Sequence, residues 1–527
     1  MSSSTTGLSS KGLGAGSIGI LGATVVGLSC IAPLYTLTAS LGPTVGAVGT
    51  QMPGIFLVGF IPMLLVALGY RELNNAMPDC GSTFTWSTRA FGPWIGWMGG
   101  WGLIVATVVV LSNIAGVAVV FFYVMLAQLF GNPHLADFIK NTPVNTATCL
   151  VFMVVACYIS CRGMGATKAV QYVLVAFQLI VLVWFSTAAI VHFSNGTAFD
   201  ALAFHFNWFN PFRVQSFSAF ANGISLSLFI FWGWDVILTM SEETKDPKKT
   251  PGRAATLTVG LVCSLYVLIG VSCLMFSGIG SVGLGLGNPA IQENVFAALA
   301  EPVLGPFAIL MSVAVLMSSA ASLQSTTLGP ARTMLAMAHY QAFPMRFANI
   351  HPRYQSPAFA TVVAGSVGWG FYAIMHAISD SVLIDTVLTL GMMICFYYGV
   401  TALACVWYFR SEAFSSVRSF LLKFFAPLMG GVILAVIFMQ TMIDSMNPEY
   451  GSGSALFGVG LVFVLGVALL LSGVALMMIM YFVNPAFFRG NTLKKGSSRD
   501  DVKKTFMENI KRSCDKMIGR RIILKSN

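Results

Sequence analysis

Gly27-Leu-Ser-Cys-Ile-Ala-Pro33 sets a glycine and a proline inside an apolar run, 18–41, that is otherwise long enough to cross a bilayer as one helix. A helix interrupted at that depth frees backbone N–H and C=O groups. Lipid cannot satisfy them, so the break must face protein, solute or water. A second stretch, Phe229-Ile-Phe-Trp-Gly-Trp-Asp235, places a glycine and a carboxylate inside another run, 217–240. Around these lie ten more runs, at 45–68, 94–126, 144–160, 169–192, 254–276, 303–329, 359–378, 382–409, 424–443 and 455–483. They are continuous, without the polar/apolar alternation of barrel strands, and predict an all-α membrane protein of about 12 transmembrane helices. The two interrupted spans are the first and the sixth. Interruptions at matching places in two halves mark the midplane binding site of transporters built from inverted repeats.

Composition agrees: 56% of the residues are hydrophobic and 9% charged, whereas about a quarter are charged in a soluble domain. With the N-terminus inside, 27 of the 29 Lys and Arg fall in inner loops and tails, leaving Lys140 and Arg213 outside. This bias predicts a multi-pass protein of the plasma membrane with both termini cytoplasmic. It also makes the net charge of +10 a topology signal and not a sign of nucleic acid. The Ser/Gly-rich start has no basic n-region or cleavage pattern, so the first run reads as a retained span. Of ten cysteines most lie in or at the ends of spans and none forms a CxxC pair, which reads as buried thiols.

No HExxH, P-loop or GxSxG motif occurs and the six histidines are scattered, so neither an enzyme, a metal centre nor a cofactor is expected. Gly278-x-Gly280-x-x-Gly283 spells a dinucleotide fingerprint, but it follows a membrane run in an outer glycine-rich loop with no strand before it. Asn195-Gly-Thr197 is a short glycosylation sequon in a loop placed outside. The basic tail at 494–525 carries apolar residues at roughly helical spacing, suiting either the inner membrane surface or a solvated tail.

Asp235 is the one carboxylate placed well inside a span. An idle charge there is expensive, which makes it a functional candidate, as a proton carrier or as an attractor of a cationic amine; an Asp bonded to unwound backbone is the structural alternative. Phe229, Phe231, Trp232 and Trp234 surround it in sequence, as a lid over a solute or as packing. The eighth span carries an unusual polar stripe, Ser318, Ser319, Ser322, Gln324, Ser325, Thr326 and Thr327. Interhelical hydrogen bonding explains much of it.

Gly69-Tyr-Arg-Glu-Leu-Asn-Asn-Ala-Met-Pro-Asp-Cys-Gly81, continuing through Ser82-Thr-Phe-Thr-Trp-Ser-Thr-Arg-Ala-Phe-Gly-Pro93, resembles the signature of the amino acid-polyamine-organocation superfamily. Glu242-Glu-Thr-Lys-Asp-Pro247 and Ala331-Arg-Thr-Met-Leu-Ala-Met337, with Phe343-Pro344, His351-Pro352 and Pro357, extend the likeness over most of the chain. These loops read as cytoplasmic locks. The resemblance implies an inner tail at 1–16, a first repeat at 17–192, an inverted second repeat at 215–409, two added spans within 424–483 and a basic tail at 486–527.

It further implies a secondary active permease of amino acids working by alternating access, with a small-molecule substrate between the first, third, sixth, eighth and tenth spans. The substrate carboxylate would lie on the first break, at Gly27, Ser29, Cys30 and Ile31, and the amine near the sixth, at Phe229, Trp232, Gly233 and Asp235. Ser29 stands where the family's turn has a second glycine, which narrows the pocket and adds a hydroxyl. The coupling candidates are Asp235 for a proton and Ser319 and Ser322 for sodium. Gln178 stands where proton-coupled relatives carry a lysine, and an amide does not titrate. The alternatives are a carrier of polyamines or other organic cations and a non-transporting amino acid sensor; no sizeable soluble output domain supports the latter.

Overall fold

The structure, a computed structural model, describes residues 11–378 and 382–496; the tail beyond 496, and with it most of the basic amphipathic segment, lies outside the described residues. The first run folds as α1 (Ile20–Ile31) and α2 (Pro33–Val48), separated by Ala32 alone. α3 (Met52–Ala76), the short α4 (Thr83–Phe91), α5 (Pro93–Phe130), α6 (Thr142–Cys161) and α7 (Met164–Ser194) complete the first half. α8 (Phe217–Ile230) and the one-turn α9 (Val236–Thr239) form the broken sixth span, followed by α10 (Thr250–Ser277), the outer α11 (Val295–Leu304) and α12 (Ala308–Thr326). α13 (Leu328–His339), α14 (Ala358–Ile378) and α15 (Val382–Tyr408) close the second half. α16 (Val417–Ser419) leads through a π-helical turn into α17 (Ala426–Asp444), and α18 (Leu461–Val483) comes last.

Ten helical segments among the described residues are long and apolar enough to span. The count differs from twelve for a physical reason. The first two runs join into one helical stretch, Ile20–Ala76, and the sixth is cut so that its longer piece, Phe217–Ile230, is only 14 residues. The fold class is otherwise the expected one, a helical membrane bundle with discontinuous first and sixth spans.

Burial places the helices. The apolar window of α5 is 94% buried inside the protein and that of α15 83%, against 22% for α18, so α5 and α15 run through the centre and α18 faces lipid. α15 packs on α5, α8, α3 and α17. Every span end must close its own polar groups, and the helices at the centre do so through side chains of their neighbours. The fingerprint-like glycines at 278–283 form an outer turn after α10, where Gly278 packs on Asp200, with no strand before them.

Candidate functional site

The first interruption lies at Ala32, which adopts a left-handed conformation (φ 49°) and donates its N–H to Leu28 O at 2.8 Å. This corrects the placement at Gly27 and Ser29: Gly27, Ser29, Cys30 and Ile31 are all helical residues of α1. Gly27 is small for packing, since a Cβ there would come within 2.8 Å of Thr258 Oγ1 on α10 and meet Ile237 of α9. Pro33 supplies the start of α2, whose first turn lacks a proline N–H in any case.

The second interruption spans 231–235, with Gly233 at φ 112°. The two breaks touch. A Cβ on Gly233 would sit 3.0 Å from Cys30 C and 3.1 Å from Cys30 O, so only glycine lets the sixth-span turn lie on the end of α1. The C-terminal end of α1 and the turn that follows α8 therefore share one junction, just before α2 begins at Pro33.

Side chains from four other helices surround this junction. Tyr266 on α10 donates its hydroxyl to Ile230 O at 2.5 Å, capping α8, and lies 2.7 Å from Thr36 Oγ1. Tyr35 OH donates to Asn113 Oδ1 on α5 at 2.5 Å, and Asn113 Nδ2 to Thr386 Oγ1 on α15 at 2.9 Å. Ser318 Oγ on α12 accepts Tyr35 N–H at 3.3 Å, and Phe229 meets the Tyr35 ring edge-on at 6.1 Å.

Asp235 is buried and accepts two phenols: Tyr398 OH at 2.8 Å on one oxygen and Tyr397 OH at 3.1 Å on the other. Trp232 Nε1 donates to Tyr397 OH at 2.6 Å, which forms a relay Trp232, Tyr397, Asp235. Trp234 packs instead on Tyr70 and Tyr398, 5.0 Å from each ring. The backbone N–H groups of Asp235 and Val236 bond to the carboxylate as well, so the structural alternative for Asp235, bonding to unwound backbone, stands beside its bonding to the tenth span's tyrosine pair.

On the other side of α1, Ser322 Oγ donates to Cys30 O at 3.0 Å. Ser29 Oγ donates to Gln171 Oε1 and lies 3.1 Å from Ser325 Oγ, and Gln171 Nε2 donates to Ala321 O at 3.0 Å and to Gln324 Oε1. Ser319 is buried and its hydroxyl has no partner among the described residues; both amide atoms of Gln178 are likewise buried and without a partner among them. It is Gln171, two turns before Gln178 on α7, that reaches α1 and α12.

The structure therefore gathers Cys30, Ile31, Gly233 and Ser322 at one junction, with Phe229 joined to it through Tyr35, sets Trp232 and Asp235 on a tyrosine wall, and turns the Ser29 hydroxyl to Gln171 and Ser325. Tyr35, Asn113, Gln171, Tyr266, Tyr397 and Tyr398 were not singled out from sequence. Each was visible only as a polar group within an apolar run, the Tyr397-Tyr398 doublet most plainly.

The three motif segments meet at the end of the bundle that the Lys/Arg bias assigns to the inside. Lys11 Nζ lies 2.9 Å from Asp79 Oδ2 and 2.6 Å from Glu242 Oε1. Asp79 also accepts Tyr340 OH, Thr85 Oγ1 and Gly81 N–H, each at 2.8 Å. Arg332 grips Glu243 through both oxygens, at 2.5 and 2.9 Å, with both side chains buried. Burial alone would raise the Asp79 carboxyl, but the Lys11 and Arg89 charges outweigh it and hold the group well below its ordinary 3.8. Burial would likewise lower Lys11, and Asp79 with Glu242 lifts it well above its ordinary 10.5. Asp79, Cys80 and Glu242 form the one grouping of metal-ligand type among the described residues, and the Lys11 ammonium is already paired with both carboxylates.

At the opposite end, the loop before α11 lies over α2: a Cβ on Gly42 would sit 2.5 Å from Gln292 Cβ. The neighbouring Glu293 accepts the Ile384 N–H. Burial first, and then the Asp385 carboxylate, push its carboxyl up to about 7.

Comparison with known proteins agrees with this architecture. The chain is 20% identical over 427 residues to the low-affinity putrescine importer PlaP of Escherichia coli K12, covering 80% of this chain and 88% of that one. It is 25% identical over 375 residues to the branched-chain amino acid permease BcaP of Bacillus subtilis, covering 66% and 73%. The crystal structure of MhsT in complex with L-phenylalanine superposes with a TM-score of 0.57 at 16% identity, over 80% of this chain and 97% of that one, a likeness of fold. The sequence model of one family, described as amino acid permease, matches residues 18–469, and the chain belongs to that family of membrane transporters.

Proposed function

We propose that the protein carries amino acids across the plasma membrane as a secondary active transporter, by alternating access around the junction of the two broken spans. One observation carries this reading: the Tyr266 hydroxyl donates to Ile230 O at the end of α8 and lies 2.7 Å from Thr36 Oγ1 in the first turn of α2, so a half-helix C-terminus and a half-helix N-terminus converge. Such a pair of ends favours a solute bearing a negative and a positive group close together, which is the form of an amino acid at neutral pH. In this reading the carboxylate lies toward the start of α2 and Ser29, and the amine toward the end of α8. In the same reading the ion pairs of Lys11 and Arg332 and the loop before α11 are the two gates, and both termini are cytoplasmic.

An organic cation would need a bare carboxylate, and Asp235 already accepts two phenols. That geometry favours Asp235 as a proton-responsive brace between the sixth and tenth spans over a direct amine ligand. Sodium coupling through Ser319 and Ser322 is the competing reading of the driving ion, with the unpartnered Ser319 hydroxyl in its favour.

The test is uptake by the purified protein in liposomes, with amino acids and di- and polyamines as competitors and a pH or sodium gradient imposed in turn. Saturable uptake of an amino acid is expected. Saturable uptake of amines alone would move the assignment to the cation class, and uptake of none would end the carrier reading.

A further inference from the structure

Away from the central junction, α6 and α14 enclose an apolar groove of about 500 Å³ on the outer face of the bundle. Its floor is Met153, Cys157 and Gly365, and its rims are Val154, Tyr158, Val362 and Ser366, all exposed. The groove exists because Gly365 has no side chain: a Cβ there would collide with Cys157 Sγ, so the helices meet at this point and splay on either side.

The lining of α6 runs from Leu150 to Cys161, eleven residue steps, or about 16 Å of helix rise. One leaflet of hydrocarbon is about 15 Å thick, so the groove has the length of one leaflet and ends at its polar edge. Two guanidinium groups stand at that edge. Arg162 follows Cys161 directly, lies over the Tyr158 ring at 4.6 Å and donates to the Tyr158 hydroxyl. Arg353 lies 5.6 Å from the Tyr354 ring, and Arg162 lies 5.9 Å from the same ring. Both are exposed, and neither is in an ion pair with a carboxylate among the described residues.

We infer that this groove is a binding site for an anionic phospholipid, with one acyl chain between α6 and α14 and the phosphate at Arg162 and Arg353. The inner-leaflet assignment rests on the orientation read from the Lys/Arg bias; the site itself does not depend on what the protein transports. Charge complementarity selects the occupant: guanidinium forks pair bidentately with phosphate oxygens, and an acyl chain fills an apolar channel one leaflet long. A zwitterionic lipid fills the channel equally well but offers no net charge to the paired arginines. Because α14 follows the inner segment that carries Arg353, a bound lipid also ties that segment to α6.

The experiment is native mass spectrometry of the full-length purified protein, equilibrated in detergent with equal amounts of dioleoyl phosphatidylglycerol and dioleoyl phosphatidylcholine. Wild-type protein is expected to retain the anionic lipid about fivefold over the zwitterionic one, the factor expected of a surface basic residue. Arg162→Gln should bring the ratio close to one. Ser366→Phe, which fills the groove from its exposed rim, should remove the retained lipid whatever its headgroup. Equal retention of the two lipids by wild-type protein overturns the proposal. So does a ratio unchanged in Arg162→Gln, or retention unchanged in Ser366→Phe. Should Arg162→Gln not elute as a monodisperse species, Arg353→Gln in the same competition gives the same reading. Transport activity does not enter, so a failed uptake assay and a failed lipid assay are separate results.

Discussion

Asp235 is held by Tyr397 and Tyr398 from the tenth span, so its ionisation bears on whether two helices stay joined. Asp235→Asn is expected to keep the fold and lose the pH dependence of uptake, checked by initial rates in liposomes from pH 5 to 8; an unchanged pH profile would sink the proton role. Gly233 is the more demanding position. Its φ of 112° and its contact with Cys30 both exclude a side chain, so Gly233→Ala should cost about 1–3 kcal/mol at the junction and reduce uptake at least about tenfold. A near wild-type rate in that variant would show that the breaks do not have to touch. Sequence disclosed these two residues because a carboxylate and a helix-weakening glycine are conspicuous in an apolar run. It did not disclose Gln171, Asn113 or Tyr266, because a polar residue on a membrane helix looks the same whether it meets a partner helix or a solute pathway.

At the scale of elements, the broken helices were legible as broken but not as to where. Gly27 looked like the hinge because glycine weakens helices, yet its role is close packing on α9 and α10, and the chain turns at Ala32, just before the proline. The inner segments behave in the same way: their motifs were readable, their partners were not. Arg332→Ala illustrates the stake. It leaves Glu243 buried and unpaired, which should destabilise the protein by about 3–5 kcal/mol and lower the thermal midpoint in detergent. A midpoint within a degree of wild type would mean that water reaches Glu243 and that the inner lock is open in solution.

For the whole molecule, the two ends respond differently to pH. Asp79 has a depressed carboxyl, so its share of stability is present above the ordinary 3.8 and lost only as pH falls below it; Lys11 has a raised ammonium, so its share persists up to the ordinary 10.5 and beyond. The inner lock is therefore constant across the physiological range. Glu293 at the outer end is raised from 4.5 to about 7, so its contribution to the closed loop is full below about 4.5 and is lost as pH rises through about 7. Amide protection in residues 284–294, taken relative to the intrinsic exchange rate at each pH, is accordingly expected to be greater at pH 5 than at pH 8, and Glu293→Gln should remove the difference. If the variant keeps the difference, another group governs the loop. None of this was readable from sequence, since Glu293 and Asp385 are 92 positions apart and only the folded chain brings them together.

The Lys11 lock also sets an order of events during biosynthesis. Lys11 leaves the ribosome early, but Glu242 follows it by 231 residues, after the sixth span has been made. The pair with Asp79, 68 residues on, can therefore form once the second span is made, and the lock closes on Glu242 only after the sixth.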